Sequence, residues 1–315
     1  MRRHALLNGM LKYIIKRLLI GVLVVLSVSI IIFGIMQAMP GDAISLMAGE
    51  RATPEQIEAL RKQWALDQPM VVQYFYWLSN ILRGDFGMSI TTRQQVSYLI
   101  LQRLPYTLML TGAAILIEYL LAVPLGLFAA VRKDKPYDKI SSVLMIVLWS
   151  MPPFWLGVLM IIVFAINIPV FPISGYSGFI SLVLPALTLA LPNMAQTFRL
   201  TRSEVLDVMD EKYVETAYAK GLGERRILYR HVLRNALIPI TVTFFLSLPW
   251  LIGGSVVVEN VFAWPGMGQL LWKCIAKQDF PVVQGIVFII AVLTVICNLI
   301  GDIVDGILDP RIRLG

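Results

Sequence analysis

The chain has 315 residues, of which 57% are hydrophobic and 15% charged, with a formal net charge of +7 and a mean hydropathy of +0.74. Soluble chains carry about a quarter charged residues, so this composition is far too apolar for a water-exposed surface. The apolar residues gather in runs of about 18 or more, long enough to cross a hydrocarbon core of roughly 30 Å, and the alternating pattern of a β-barrel is absent. An all-α polytopic membrane protein is expected.

In chain order, the runs predict six transmembrane helices at about 13–37, 100–131, 140–166, 180–198, 237–258 and 282–308. The first run is too long for a cleavable signal, and no small-residue cleavage site follows it. Basic residues orient the spans. Arg2, Arg3, Lys12, Lys16 and Arg17 precede the first. Arg132, Lys133, Lys135 and Lys139 follow the second. The connection 199–236 carries Arg199, Arg202, Lys212, Lys220, Arg225, Arg226, Arg230 and Arg234, and the tail carries Arg311 and Arg313. Alternating spans put all of these on one side, and short Lys/Arg-rich loops stay in the cytoplasm. Both N and C termini are therefore expected to be cytoplasmic. The net charge is then mostly an orientation signal, and no nucleic acid is needed to explain it.

The outer segment 38–99 mixes acidic and basic residues. Thr53-Pro54-Glu55 reads as a helix start with Pro at the first helical position. A second amphipathic stretch from Pro69 to about Leu82 carries Tyr74, Phe75, Tyr76 and Trp77, which suit a membrane interface. The segment reads as a small helical cap. The hairpin 167–179 has no charge.

Residues 210–226 (DEKYVETAYAKGLGERR) are polar, helix-favouring and too short to span. Ala217 and Gly221 are four apart and would share a helix face, where small residues let another surface approach closely. Glu215 and Lys212 can pair on a neighbouring face. The same residues also read as a solvated loop helix with Gly221 or Gly223 as a left-handed cap.

Several residues stand out inside the spans. Glu118 is near the middle of the second, where a charge costs at least about 2.5 kcal/mol, so it should face the bundle interior, a cavity or a partner. It could line a path through the bundle or be a hydrogen-bonded glutamate between helices. Asp302 and Asp305 share a face near the cytoplasmic end of the sixth span and read as carboxylates pairing with basic residues, while Asp309 and Arg311 would fix the tail. Pro124, Pro152, Pro153, Pro192 and Pro249 fall in or near spans, as hinges or as fixed packing features. The outer loop from Glu259 to Gly268, with Phe262, Trp264, Pro265 and Gly266, reads as a gate or partner contact, or equally as an interfacial turn anchored by aromatics. Cys274, in a short polar connection, and Cys297, in an apolar run, form no disulfide framework. His4 and His231 have no companion at metal-ligand spacing, so no metal site is expected.

Glu215-Thr216-Ala217, with Gly221 four residues beyond Ala217, resembles the EAA motif of ATP-binding-cassette importer permeases, with Thr216 in place of the middle Ala. His231 to Pro239 (HVLRNALIP), Ser150 to Trp155 (SMPPFW), Glu259 to Gly268 (ENVFAWPGMG), Met39 to Asp42 (MPGD), Gly84 to Ser89 (GDFGMS) and Asp309 to Arg313 (DPRIR) resemble the peptide and nickel branch of that family. The likeness runs over almost the whole chain, to the first of the two permeases of dipeptide, oligopeptide and nickel importers.

The resemblance implies a type I importer fold of the MetI-like kind in a bacterial inner membrane, in contact with lipid. It implies an N-terminal tail, first helix and cap over 1–99, a permease domain over 100–308 and a tail over 309–315. The coupling helix would lie at about 210–226, with Glu215, Thr216, Ala217, Gly221, Leu222, Gly223 and His231 at the contact with the ATPase. The implied partners are a second homologous permease, two ATPase subunits and an extracytoplasmic substrate-binding protein. The chain has no G-x-x-x-x-G-K-[ST] sequence to cradle phosphates, so no cofactor is expected on it. ATP and Mg would bind the partner ATPase, and the chain itself would be no enzyme. An ion-coupled secondary carrier is the alternative, but the inverted repeats of that class are not seen. A membrane enzyme would need a Ser/His pair, paired midplane aspartates or H-E-x-x-H, none of which is present. The solute stays open among dipeptides, oligopeptides, glutathione-like peptides, nickel and metal chelates.

Overall fold

The computed structural model describes residues 2–38 and 67–308. The expected helix start at Thr53, the MPGD block and the tail residues Asp309 and Arg311 lie outside these. The backbone follows the apolar runs: lipid offers no partner for N–H and C=O groups, so each spanning segment satisfies them within a helix. In order these are α1 (Arg2–Ala38), α2 (Met70–Leu82), α3 (Val96–Val131), α4 (Pro136–Ser150), α5 (Pro153–Ile161), α6 (Ile180–Met209), α7 (Lys212–Ala219), α8 (Glu224–Ile227), α9 (Leu233–Val261), α10 (Met267–Ala276) and α11 (Phe280–Leu308). Among the described residues, five stretches are each long and apolar enough to cross a membrane: Tyr13–Ile35, Val96–Val131, Ile180–Met209, Glu224–Val261 and Phe280–Ile307.

The third span departs from the sequence expectation. The run at 140–166 is a pair, α4 and α5, bent by 102°. Pro152 and Pro153 cause the break. Two successive residues without an N–H cannot continue the helical ladder, and a residue before proline is pushed to extended backbone; Met151 is extended, with φ −83° and ψ 123°. Pro153 then starts α5 at the position where a missing N–H costs nothing. Pro105 and Pro124 in α3, Pro185 and Pro192 in α6, and Pro239 and Pro249 in α9 stay within continuous helices.

Helix α3 packs most extensively against α6. The contact is close because Gly126 has no side chain: a Cβ there would lie 2.8 Å from the Phe198 carbonyl oxygen and 2.9 Å from Thr201 Cβ. Helices α9 and α11 complete the bundle, and α1 lies along α11. There Gly21 meets Val295, whose Cγ1 would be 2.7 Å from an added Cβ. Arg17 pairs with Asp302 at 3.3 Å, so that aspartate finds its basic partner on α1. Helix α2 buries its aromatic face on the outer ends of α1 and α11. The Tyr74 hydroxyl shares a 2.8 Å hydrogen bond with Ser29, and Trp77 meets Phe33 and Phe288. Its Met70, Val71, Phe75 and Leu82 remain exposed, as a helix at a membrane interface requires.

Cys274 does not lie in a polar connection. It is buried in α10, and burial pushes its thiol up to about 11. The expected outcome at the α3–α6 crossing is that Gly126→Leu destabilises the folded chain by roughly 1–3 kcal/mol, read as a lower melting temperature in detergent with insertion preserved.

Candidate functional site

At the cytoplasmic end, α7 lies across the ends of α3, α6 and α9. Its Val214 and Ala217 are buried with Leu127, Ala130, Val205, Ile227, Val232 and Ala236. The opposite face presents Tyr213, Glu215, Thr216, Tyr218 and Lys220. Ala217 therefore packs into its own chain, and the surface that another molecule can reach is the Glu215–Tyr218 face.

The glycine reading also changes. Gly221 does not share a helix face with Ala217, because α7 ends at Ala219. Gly221 has φ +72°. The Gly221 N–H donates to the Tyr218 carbonyl at 2.9 Å and the Leu222 N–H to the Ala217 carbonyl at 3.3 Å. These are the paired bonds of a Schellman cap, with Leu222 packed onto the same apolar cluster. Gly223, with φ −66°, caps the start of α8. His231 is half-buried in a π-helical turn, Leu228–Val232, that feeds into α9. Its carbonyl accepts from Asn235 at 2.9 Å, and the same amide donates to the Tyr213 hydroxyl at 2.7 Å. The cytoplasmic turn is thus tied at both ends to the start of a spanning helix. Glu215 and Lys212 form no ion pair among the described residues.

A second clamp fixes the same end of the bundle. Arg202 of α6 grips Asp138 of α4 through both carboxylate oxygens, at 2.6 and 2.7 Å, and the Asp134 N–H adds a third bond at 3.0 Å. This bidentate geometry suits arginine and not lysine.

On the outer side, the Glu259–Gly268 segment is packed inward. Glu259 belongs to α9 and is 0% exposed, as is Trp264; Phe262 and Gly266 are buried and Pro265 half-buried. One Glu259 oxygen accepts from Thr107 at 2.8 Å and Ser255 at 3.2 Å, and the other from the Gln269 N–H at 3.1 Å. The carboxylate thereby caps the N-terminus of α10, where unpaired N–H groups and the helix dipole favour negative charge. Gly266 is required because any Cβ there would collide with that carboxylate. The Trp264 indole donates to the Tyr106 carbonyl at 3.0 Å and lies edge-on to Tyr106 and Tyr176. This is a buried joint between α3, α9 and α10, not a surface turn.

Asp279, also 0% exposed, does similar work beyond the other end of α10. It accepts from the Ser89 and Thr91 hydroxyls and from the Ile90 and Thr91 amides at 3.0 and 3.1 Å, which anchors the end of the GDFGMS loop. Sequence reading missed both Asp279 and Asp138. Their partners lie 190 and 64 residues away, and no local spacing signals such pairs.

Glu118 is 1% exposed between α3 and α6. The Thr197 hydroxyl donates to one of its oxygens at 2.6 Å, and the other has no protein partner. The structure does not bring Glu118 together with the cytoplasmic or outer clusters.

This architecture defines a class: a polytopic helical membrane component that carries a short cytoplasmic helix rigidly on the ends of its spans. The family follows from comparison. Residues 122–314 match the model of the "binding-protein-dependent transport system inner membrane component", and residues 10–111 match the N-terminal model of the same membrane components. The oligopeptide transport system permease protein AppB of Bacillus subtilis (strain 168) is 40% identical over 96% of this chain and 100% of its own length. The glutathione transport system permease protein GsiC of Escherichia coli (strain K12) is 36% identical over 96% and 99%. Among solved structures, an inward-facing MetNI methionine ABC transporter chain superposes with a TM-score of 0.57 at 18% identity, covering 67% of this chain and 97% of that one. The chain belongs to the family of binding-protein-dependent transport permeases and has its MetI-like fold. It is a multi-pass inner-membrane transport subunit.

The Schellman cap yields a direct test. A β-branched residue in left-handed backbone costs roughly 1–2 kcal/mol, so Gly221→Val is expected to speed amide hydrogen exchange over residues 212–222. Gly221→Asn, which tolerates that conformation, should change it little.

Proposed function

We propose that this chain forms half of the translocation pathway of an ATP-driven importer for short peptides, with α7 as the helix that receives the ATPase. The observation that carries this reading is the two-sidedness of α7. Val214 and Ala217 lock it onto the bundle while Tyr213, Glu215, Thr216 and Tyr218 stay exposed beyond the basic rim. A lever must be rigid toward what it moves and open toward what moves it. The cap at Gly221, the ties from Asn235 and the Asp138–Arg202 clamp supply the rigidity.

In this reading two ATPase subunits bind α7 and its counterpart on a second, homologous permease. Closure of the ATPase pair draws the two helices together and opens the outer side to a binding protein. ATP hydrolysis, with its Mg, belongs to those partners. The permease unit is read as residues 100–308, preceded by the first helix and cap over 1–99 and followed by the tail over 309–315. Peptide cargo is supported by relatives named for oligopeptides and glutathione; nickel draws no support from those names. The buried Glu259 joint acts as a fixed pivot on the outer side, not as a gate. Glu118 acts as a strut between α3 and α6.

The reading is tested in vesicles holding the complete complex. Peptide uptake should require ATP and the binding protein and stop with vanadate. Persistence of uptake under an ion gradient without ATP would favour the secondary carrier. Glu215→Lys with Tyr218→Ala should abolish uptake while this chain remains inserted. Glu118→Gln, which keeps an acceptor for Thr197, should leave the uptake rate within about twofold; a larger loss returns Glu118 to the path.

A further inference from the structure

Helix α6 carries a polar stripe on its exposed face. Gln196, Arg199, Ser203 and Asp207 are all exposed and follow one another at spacings of three and four residues, so they share one side of the helix. The neighbouring surface of α4 is apolar, with Ile140, Val143, Leu144 and Val147 exposed, as lipid contact demands. Gln196 and Arg199, on the membrane side of Arg202, stand level with that apolar surface and do not suit the same solvent; Ser203 and Asp207 continue the stripe on the cytoplasmic side of Arg202.

Arg199 sharpens the contrast. Two arginines of the bundle are neutralised within the chain, Arg202 by Asp138 and Arg17 by Asp302. No carboxylate pairs with Arg199 among the described residues. Its guanidinium lies over the Trp149 ring, 4.8 Å from the centroid, and Trp149 is 57% exposed. Trp149 is eleven residues beyond Asp138 on α4, roughly 16 Å along the helix axis. The Arg199 side chain therefore reaches inward, away from the cytoplasmic rim marked by the Asp138–Arg202 pair. A cation sent inward without a counter-ion is expensive in lipid. Stacking on an aromatic face leaves the N–H edges of the guanidinium plane available, and that planar fork matches a carboxylate.

We infer that the α6 stripe lines a water-filled passage and that Arg199, braced by Trp149, receives the carboxylate of the transported solute. The inference rests on the reading of this chain as a peptide permease, and it names one group that the passage offers to a zwitterionic peptide. Charge complementarity selects this occupant: Arg199 offers a cation with no carboxylate partner among the described residues, and each free peptide carries a carboxylate. Arg199 is a solute-positioning residue here, and its role needs a positive charge, not bulk.

Two measurements on the assembled complex decide the matter. In the first, Arg199→Cys is placed in a Cys297→Ser background, where buried Cys274 stays silent, and is exposed to a membrane-impermeant cationic thiol reagent in inside-out vesicles. Rapid modification of this chain is expected. Protection equal to that of a lipid-facing control, Val143→Cys, would overturn the passage, whether lipid or the second permease covers the stripe. In the second, uptake of a radiolabelled dipeptide is followed at saturating binding protein. Arg199→Gln should lower the rate at least tenfold with complex assembly and ATPase activity retained, and Arg199→Lys, which keeps the charge and loses the fork, should fall between the Gln variant and the parent. Equal rates for the Gln variant and the parent would overturn the carboxylate role, as would equal loss in the Gln and Lys variants. Absence of ATP-dependent uptake by the parent complex would sink the peptide-permease reading instead, and leaves the labelling result to stand alone.

Discussion

The structure depends on carboxylates that leave water and find their partners on another part of the chain. An unpaired buried charge is prohibitive in a medium without water. Each such group therefore dictates a neighbour. Glu259 demands the hydroxyls of Thr107 and Ser255 and the free amides of α10, which sets where α10 begins. Asp138 demands the fork of Arg202, which sets the register of α4 on α6. Asp279 demands the Ser89–Thr91 turn. Apolar packing is non-directional and tolerates sliding; these bonds do not. They convert an oily bundle into one arrangement.

The polar joints and the glycine contacts work together. Gly126 and Gly21 bring backbones close enough for dispersion to hold helices that lipid would otherwise solvate equally well. Gly266 makes room for the Glu259 carboxylate itself. The outer end is thus a rigid joint around Trp264, while the cytoplasmic end is a short helix on an apolar pad. Stiffness at both ends and a bent α4–α5 pair between them suit a unit that moves as a body against a partner.

Much of this was legible in the sequence. The spans, their basic orientation and the amphipathic α2 follow from local hydropathy and charge, which fix a helix in lipid without tertiary help. The cytoplasmic segment was visible as a short polar helix, and the Gly221 cap was one of its two readings. Three things escaped. The 102° break needed the consequences of Pro152 and Pro153 for two successive amides. The Glu259 segment looks like a loop because its polar and glycine residues serve a joint that only the fold assembles. The Asp138 and Asp279 clamps join residues too distant in sequence for periodicity to report.

The Asp279 anchor also bears on how the chain is made. The Ser89 hydroxyl meets a carboxylate 190 residues downstream, so the turn after α2 finds its final partner only when the last span arrives. Long loops close slowly, and a growing chain folds from its N-terminus as it emerges. Until Asp279 has been made, the Ser89–Thr91 turn lacks its carboxylate acceptor. The bond to Asp279 therefore doubles as a completion mark: the Ser89–Thr91 turn is closed only by a residue that stands at the threshold of the last span.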